Sequence, residues 1–335
     1  MIVASKSHAM SPVSSSLLRR LTDRAQRYFP DETEAVSEIV IDATTERLCS
    51  VIQRVRFRWR DGKSREVIAK TSDNALSEFH ALSTVWPRFE KHSRFRVPKP
   101  LELLPDLNSV VMEVAYGNSL LSLLPRFIWT TTNLENAERY CRDAGEWLYF
   151  YHNVDRSKSE RKSICEETLV SGLSETLGDL RNEGFSNQIC AYMETEIIPK
   201  AENALREPLP VSIIHGDYKL DNILIGDSTI TVLDLSGVTM GASDRDVAAF
   251  LVSLLLLKLT RRVPHAIIER LSSAFMSAYY REELPPLKVL AFLQCAGIAD
   301  VTLEILRRCR FRIARLWVET VVNQIIVNIG ESKFA

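Results

Sequence analysis

Neither charge dominates this chain of 335 residues. Its 42 Lys and Arg against 43 Asp and Glu leave a net charge of −1, which removes the electrostatic case for a nucleic-acid binder. The six cysteines are scattered without a C-x-x-C spacing, so zinc-ribbon and thioredoxin-like chemistry have no framework. There is no apolar signal-peptide core, and a cytoplasmic, reducing location is the expectation. The longest apolar run, Val247 to Leu257, is too short to span a bilayer and reads as a buried helix. Internal repeats and low-complexity segments are missing too. Before Asp23 there are no acids, while Lys6, Arg19 and Arg20 sit among serines. That composition overlaps with organellar transit peptides; the plainer reading is an amphipathic helix, Leu17 to Phe29, resting on the first lobe.

What is present divides into two parts. From Val36 to Thr71 the pattern is β. Val55, Phe57 and Trp59 alternate with Arg54, Arg56, Arg58 and Arg60, the period of a strand with one buried face. Asp61-Gly62 supplies a hairpin turn, and Val67 to Lys70 begins the next strand. Gly62-Lys63-Ser64 is a turn rather than a phosphate loop, because the motif's first glycine would fall on Phe57. A helix is predicted from Asn74 to about Phe89, with Leu76, Phe79 and Leu82 on one side. Leu107 to Ala115 is strand-like. Thereafter the chain reads as helices around a β-rich island from Ser212 to Leu235. The expected class is α+β in two lobes, with a boundary near Glu113 to Gly117.

The chemistry concentrates in His215-Gly216-Asp217-Tyr218-Lys219-Leu220-Asp221-Asn222, flanked by the apolar runs Val211–Ile214 and Ile223–Ile225. A second apolar run, Ile230 to Leu233, ends on Asp234. Phosphoryl transfer needs a carboxylate to take the proton of the attacking hydroxyl, and oxygen ligands to hold Mg²⁺ on the phosphates. Asp217 fits the first role; Asn222 and Asp234 fit the second.

H-G-D-x-x-x-x-N followed by a strand-terminal Asp resembles the aminoglycoside phosphotransferase and choline kinase superfamily, relatives of the protein kinases. The resemblance implies a bilobal protein-kinase-like fold, with a small β-rich lobe over residues 1–113 and a helical lobe over 114–335. It implies ATP and Mg²⁺ as cofactors and a small-molecule hydroxyl as acceptor. Lys70 matches the strand lysine that meets the nucleotide phosphates, and Glu78 the helix carboxylate that orients it. Glu113 and Val114 fall in the stretch whose backbone pairs with the adenine edge. Asp246, in Asp244-Arg245-Asp246-Val247-Ala248, and His215 take structural roles, as does the helix from Ala144 to His152. Lys219 matches a lysine that stabilises charge on the transferring phosphoryl group; a solvated surface lysine is the alternative.

One departure is that the loop expected from the resemblance to cover the phosphates, about Asp42 to Leu48, contains no glycine. Thr44 and Thr45 could add hydroxyl donors there, whereas Glu46 brings a negative charge. Two rival readings follow: a pseudokinase-like scaffold, and a protein kinase, the latter disfavoured by Gly216 in place of Arg. The resemblance implies that substrate choice falls to the C-terminal helices, here Leu287–Gly330. Arg308, Arg312 and Arg315 share a helix face there, with Arg307 and Arg310 nearby. They read first as a solvated basic face, and second as a contact for an anionic acceptor or an acidic membrane surface. The oligomeric state and the choice of ATP over GTP are not legible.

Overall fold

A computed structural model describes residues 12–47, 49–127, 131–153, 163–164, 166–206, 209–261, 263–281, 283–308 and 312–333. The serine-rich start before Pro12, Leu48, and the side chains of the arginine row at 308–315 lie outside the described residues. Along the chain come α1 (Pro12–Tyr28), β1 (Val36–Arg47), β2 (Ser50–Trp59), β3 (Ser64–Ser72), α2 (Ala75–Phe89), β4 (Phe95–Arg96), β5 (Pro100–Leu104) and β6 (Ser109–Glu113). There follow β7 (Asn118–Ser119), α3 (Leu120–Phe127), α4 (Thr131–Asn153), β8 (Ser163–Ile164), α5 (Glu166–Asn182), α6 (Asn187–Tyr192) and α7 (Ile198–Leu205). The remainder is β9 (Leu209–Ile214), β10 (Ile223–Ile225), β11 (Ile230–Val232), β12 (Thr239–Ala242), α8 (Asp244–Thr260), α9 (His265–Tyr280), α10 (Leu287–Arg308) and α11 (Arg312–Lys333). Two compact units result: Met1–Gly117 with Gly226–Gly237, and Asn118–Ile225 with Val238–Ala335. The segment carrying Asp234 thus belongs with the first unit, which a division of the chain at residue 113 does not capture.

The first unit is built on a five-stranded sheet in the order β1-β2-β3-β6-β5, antiparallel throughout. The alternation in β2 does what its period demands. Val55, Phe57 and Trp59 are buried, and with Val67 and Ala69 of β3 they form one core against Leu17, Leu18 and Leu21 of α1. Phe29 and Trp59 meet Phe57, edge-on and stacked respectively. The arginines on the other face of β2 are answered within the sheet: Arg54 by Glu66, Arg56 by Asp42, Arg58 by Glu38. This is the solvated, paired face rather than an anion site.

Helix α2 corrects one expectation. Its buried stripe is Ala75, Glu78, Leu82, Val85 and Phe89, whereas Leu76 is 57% exposed. The stripe recurs at three- and four-residue steps, and it carries a carboxylate inward. The short strands β4 and β5 flank the irregular residues 97–99. β4 pairs in parallel with β11, Phe95 opposite Ile230.

The second unit is mostly helical. Its core gathers α5, α6, α7, α8, α10 and α11, with Phe292, Cys295, Ile298 and Ile326 buried. Val247 to Leu257 lies inside α8, as its apolar run, broken only by Ser253, predicted. Among the described residues one helix, α10, is long and apolar enough to cross a bilayer, and most of that stretch is buried. Helices α4 and α9 approach so closely at Gly145 that a Cβ there would run into the carbonyl oxygen of Phe275.

Three substitutions test this packing by urea unfolding. Phe57→Ala should cost about 3–5 kcal/mol, while Arg58→Ala, an exposed pair, should cost no more than about 1 kcal/mol. Gly145→Ala should lower the unfolding midpoint despite the better helix propensity of alanine, because the neighbouring backbone cannot yield.

Candidate active site

In the first unit the pattern that buries Val67 and Ala69 turns Lys70 to the opposite face of β3. Its Nζ lies 3.0 Å from Glu78 Oε1 and 2.8 Å from Asp234 Oδ1, and 2.9 Å from Glu78 Oε2. Lys70 and Glu78 are almost wholly buried. Burial works against the Lys70 ammonium, but the charges of Glu78 and Asp234 outweigh it and hold the lysine cationic, its pKa raised. Burial pushes the Glu78 carboxyl up, Lys70 opposing. Asp234 has a left-handed backbone (φ 63°), tolerated by Asp better than by most residues, and accepts a hydrogen bond from Ser236 Oγ at 2.8 Å. The sequence placed Lys70 beside Glu78; the direct Lys70–Asp234 pair and the Ser236 brace it did not disclose.

In the second unit β9 delivers His215 into the interior. The amides of His215 and Gly216 donate to the two oxygens of Asp246, at 2.6 and 2.9 Å. Gly216 can do so because its φ is 80°, a conformation natural to glycine. His152 of α4 reaches the same carboxylate at 3.0 Å, and its other ring nitrogen meets Tyr279 Oη at 2.9 Å. Burial raises the cost of ionising Asp246, but these hydrogen bonds and charges prevail and keep its pKa below the ordinary range. His215 Nδ1 accepts from the Asp217 amide at 3.2 Å. Tyr218 is buried, donating to Ala144 O at 2.8 Å and stacked on Trp147. These are anchors on either side of Asp217.

Asp217 itself stays partly open. Asn222 Nδ2 donates to its carbonyl at 2.9 Å and to its Oδ2 at 3.0 Å. That use of the amide nitrogen leaves the Asn222 oxygen as the atom suited to a hard cation. Lys219 Nζ sits 2.7 Å from Asp217 Oδ2, both side chains about two-fifths exposed. Burial raises the Asp217 pKa, against the lowering effects of Lys219, His215 and Asn222. A cavity of about 520 Å³ opens beside Asp217 and Lys219, walled by α5, α8 and α10.

Two expectations are corrected. Asp42 to Arg47 is not a loop: it is the exposed end of β1, paired with β2 from Ala43↔Arg54 to Arg47↔Ser50. Thr44, Thr45 and Glu46 are therefore strand residues, because the β-branched pair and the absence of glycine favour extension. The Glu113 amide donates to Lys99 O at 3.0 Å, so its N–H is committed and not left for an adenine edge. Glu113 and Val114 line a cavity of about 430 Å³ with Trp86, Arg96, Lys99 and Thr231. Sequence reasoning missed the His152–Tyr279 support; only the resemblance singled out that helix.

The phosphotransferase enzyme family matches residues 51–287, and the chain belongs to it. Comparison with curated protein sequences finds no match. Among solved structures the chain is similar to choline kinase from Cryptosporidium parvum Iowa II, at 12% identity and TM-score 0.59, covering 93% of this chain and 95% of that one. It is similar to a glucosamine kinase at 13% identity and TM-score 0.56, over 91% and 97% of the two chains. An aminoglycoside phosphotransferase in ternary complex with AMP-PNP and hygromycin B matches at 13% identity and TM-score 0.60, over 92% and 99%. The fold is α+β and of the protein-kinase-like superfamily.

Asp246→Asn should cost about 3–5 kcal/mol in urea unfolding, since it leaves buried donors facing a neutral amide. The folded pKa of Asp246 is depressed, so its contribution is complete above the ordinary carboxylate range and is lost as pH falls below it. The variant's stability should therefore depend less on pH at the acid end.

Proposed function

We propose that the chain transfers the γ-phosphoryl group of ATP to a hydroxyl of a small molecule. The carrying observation is the cluster of Lys70 between Glu78 and Asp234. A buried ion pair stabilises a fold little better than apolar residues would, so one lysine between two carboxylates, with a negative charge to spare, argues for a site that receives a cation together with phosphate. Lys70 takes the phosphates, Glu78 aims it, and Asp234 and Asn222 offer oxygen ligands. Oxygen donors of this kind suit Mg²⁺, which when bound neutralises charge on the phosphate oxygens. Val114 and the Glu113 carbonyl are assigned to the adenine edge.

Asp217 accepts the proton of the acceptor hydroxyl. The acceptor oxygen forms a bond to the γ-phosphorus as the bond to the bridging oxygen breaks, and ADP leaves with that electron pair. Lys219 offsets charge on the group in transit; its exposed pair with Asp217 adds little stability, which leaves it available for this. The glycine-free β1–β2 hairpin with Glu46 at its exposed end favours a second reading, a nucleotide-free scaffold.

The two readings separate in one experiment. With Mg²⁺-ATP at a hundred times its dissociation constant, the wild type should gain roughly 2.7 kcal/mol, and Asp234→Ala should gain much less. No shift in the wild type would favour the scaffold. Asp217→Asn should keep the thermal shift while transfer falls about 10²–10⁴-fold; undiminished transfer would remove Asp217 from its role. Because Asp217 must be ionised to accept a proton and its pKa is raised, the acid limb of kcat/KM should lie above the ordinary carboxylate range. Lys219→Met should move it higher still.

A further inference from the structure

The second unit holds another cavity of about 520 Å³, walled by the ends of α4, α7 and α9 and the starts of β9, α8 and α10. It shares no lining residue with the cavity beside Asp217. Asp244 stands on its wall, only 3% exposed. Among the described residues no cation forms an ion pair with this carboxylate. Its Oδ1 takes the neutral hydroxyl of Tyr280, and no described group donates to Oδ2. Burial raises its pKa, and the one charge that lowers it is that of His152, an imidazole already given to Asp246. A buried carboxylate left without a cation is costly.

Asn153 supplies a second, independent observation on the same wall. Its Nδ2 donates to Tyr149 O at 2.6 Å, while its Oδ1 is buried with no donor. The wall is therefore short of donors at two places. Its other charged groups, Glu283 and Lys288, are opposite in sign and both exposed. Water screens them, and the charge of Asp244 stands uncancelled. The rings of Tyr149, Tyr279 and Tyr280 complete the wall, and aromatic faces attract cations. Tyr149 shows this already, with the Arg281 guanidinium 3.7 Å from its ring centroid.

We propose that this cavity binds a primary ammonium ion carrying an apolar body. The ammonium supplies the charge that Asp244 lacks and the N–H donors that Asp244 and Asn153 lack. The body lies along the tyrosine rings and Leu209, with Leu284 and Leu287 exposed at the rim. A neutral molecule of the same shape leaves the carboxylate unanswered, and an anion opposes it. The site is separate from phosphoryl transfer: neither Asp217 nor Lys219 lines it.

The test uses the full chain with dansylcadaverine, a fluorescent primary amine, and N-pentyl dansylamide, which has the same body without the ammonium. The wild type should bind dansylcadaverine at least about tenfold more tightly than the neutral probe. Asp244→Asn, which keeps an oxygen for the Tyr280 hydroxyl, should remove that preference. Asp300→Asn, in the cavity beside Asp217, should leave it in place, and Mg²⁺-ATP should not displace the probe. Ala204→Phe, which fills the space from α7, should weaken dansylcadaverine binding at least about tenfold while still unfolding cooperatively. It carries the test should Asp244→Asn not fold. Equal binding of the two probes by the wild type, or a preference that survives in folded Asp244→Asn, overturns the proposal. So does unchanged binding in folded Ala204→Phe, a preference lost in Asp300→Asn, or displacement by Mg²⁺-ATP.

Discussion

A carboxylate sealed inside a protein must be met by donors, and Asp246 is met by three: the amides of His215 and Gly216 and the imidazole of His152. Much of the second unit is arranged to satisfy that demand. The His215 and Gly216 amides can point at one carboxylate only if the chain turns sharply after β9, which Gly216 allows. His152 can reach it only from α4, and Tyr279 of α9 holds the far side of the ring. Gly145 lets those two helices come close enough for this. The turn then presents Asp217 with its backbone fixed and its carboxylate outermost. Asp246 thus governs where Asp217 stands.

The cluster around Lys70 follows the opposite logic. One ammonium faces two carboxylates, so the group carries an excess negative charge, and Asp234 is held on an unfavourable backbone by Ser236 and Lys70. Such an arrangement is poor value as a staple and suits a site that receives a cation together with phosphate. The first unit supplies rigidity around it through the aromatic core of Phe29, Phe57 and Trp59.

Much of this was legible in the chain. The period of two in β2 named its buried face, because alternation has only one geometric meaning in a strand. The apolar flanks of the Asp217 loop and of Asp234 gave the short strands that end on them. Leu76 misled because hydrophobicity alone does not fix a helix phase; the buried Glu78, paired with Lys70, set it instead. The Asp42–Arg47 stretch was taken for a loop because pairing of an edge strand depends on a partner, not on local composition. The cavity beside Asp217 draws its walls from helices α5, α8 and α10, far apart in sequence, and no local pattern could foretell that they line one space.

The first unit is not continuous in the chain. Its β11 and the turn bearing Asp234 come after more than a hundred residues of the other unit, and β11 finds its partner β4 in the segment around Phe95. On the ribosome, the amino-terminal sheet therefore emerges long before the strand that completes its unit. Vectorial synthesis can finish the five-stranded sheet early, but the lysine of β3 must wait for the aspartate of a later segment. A release of the chain after Gly117 would yield a sheet with its buried ammonium half answered. Cutting this protein into independently made halves at that point would separate Lys70 from one of the two charges that hold it.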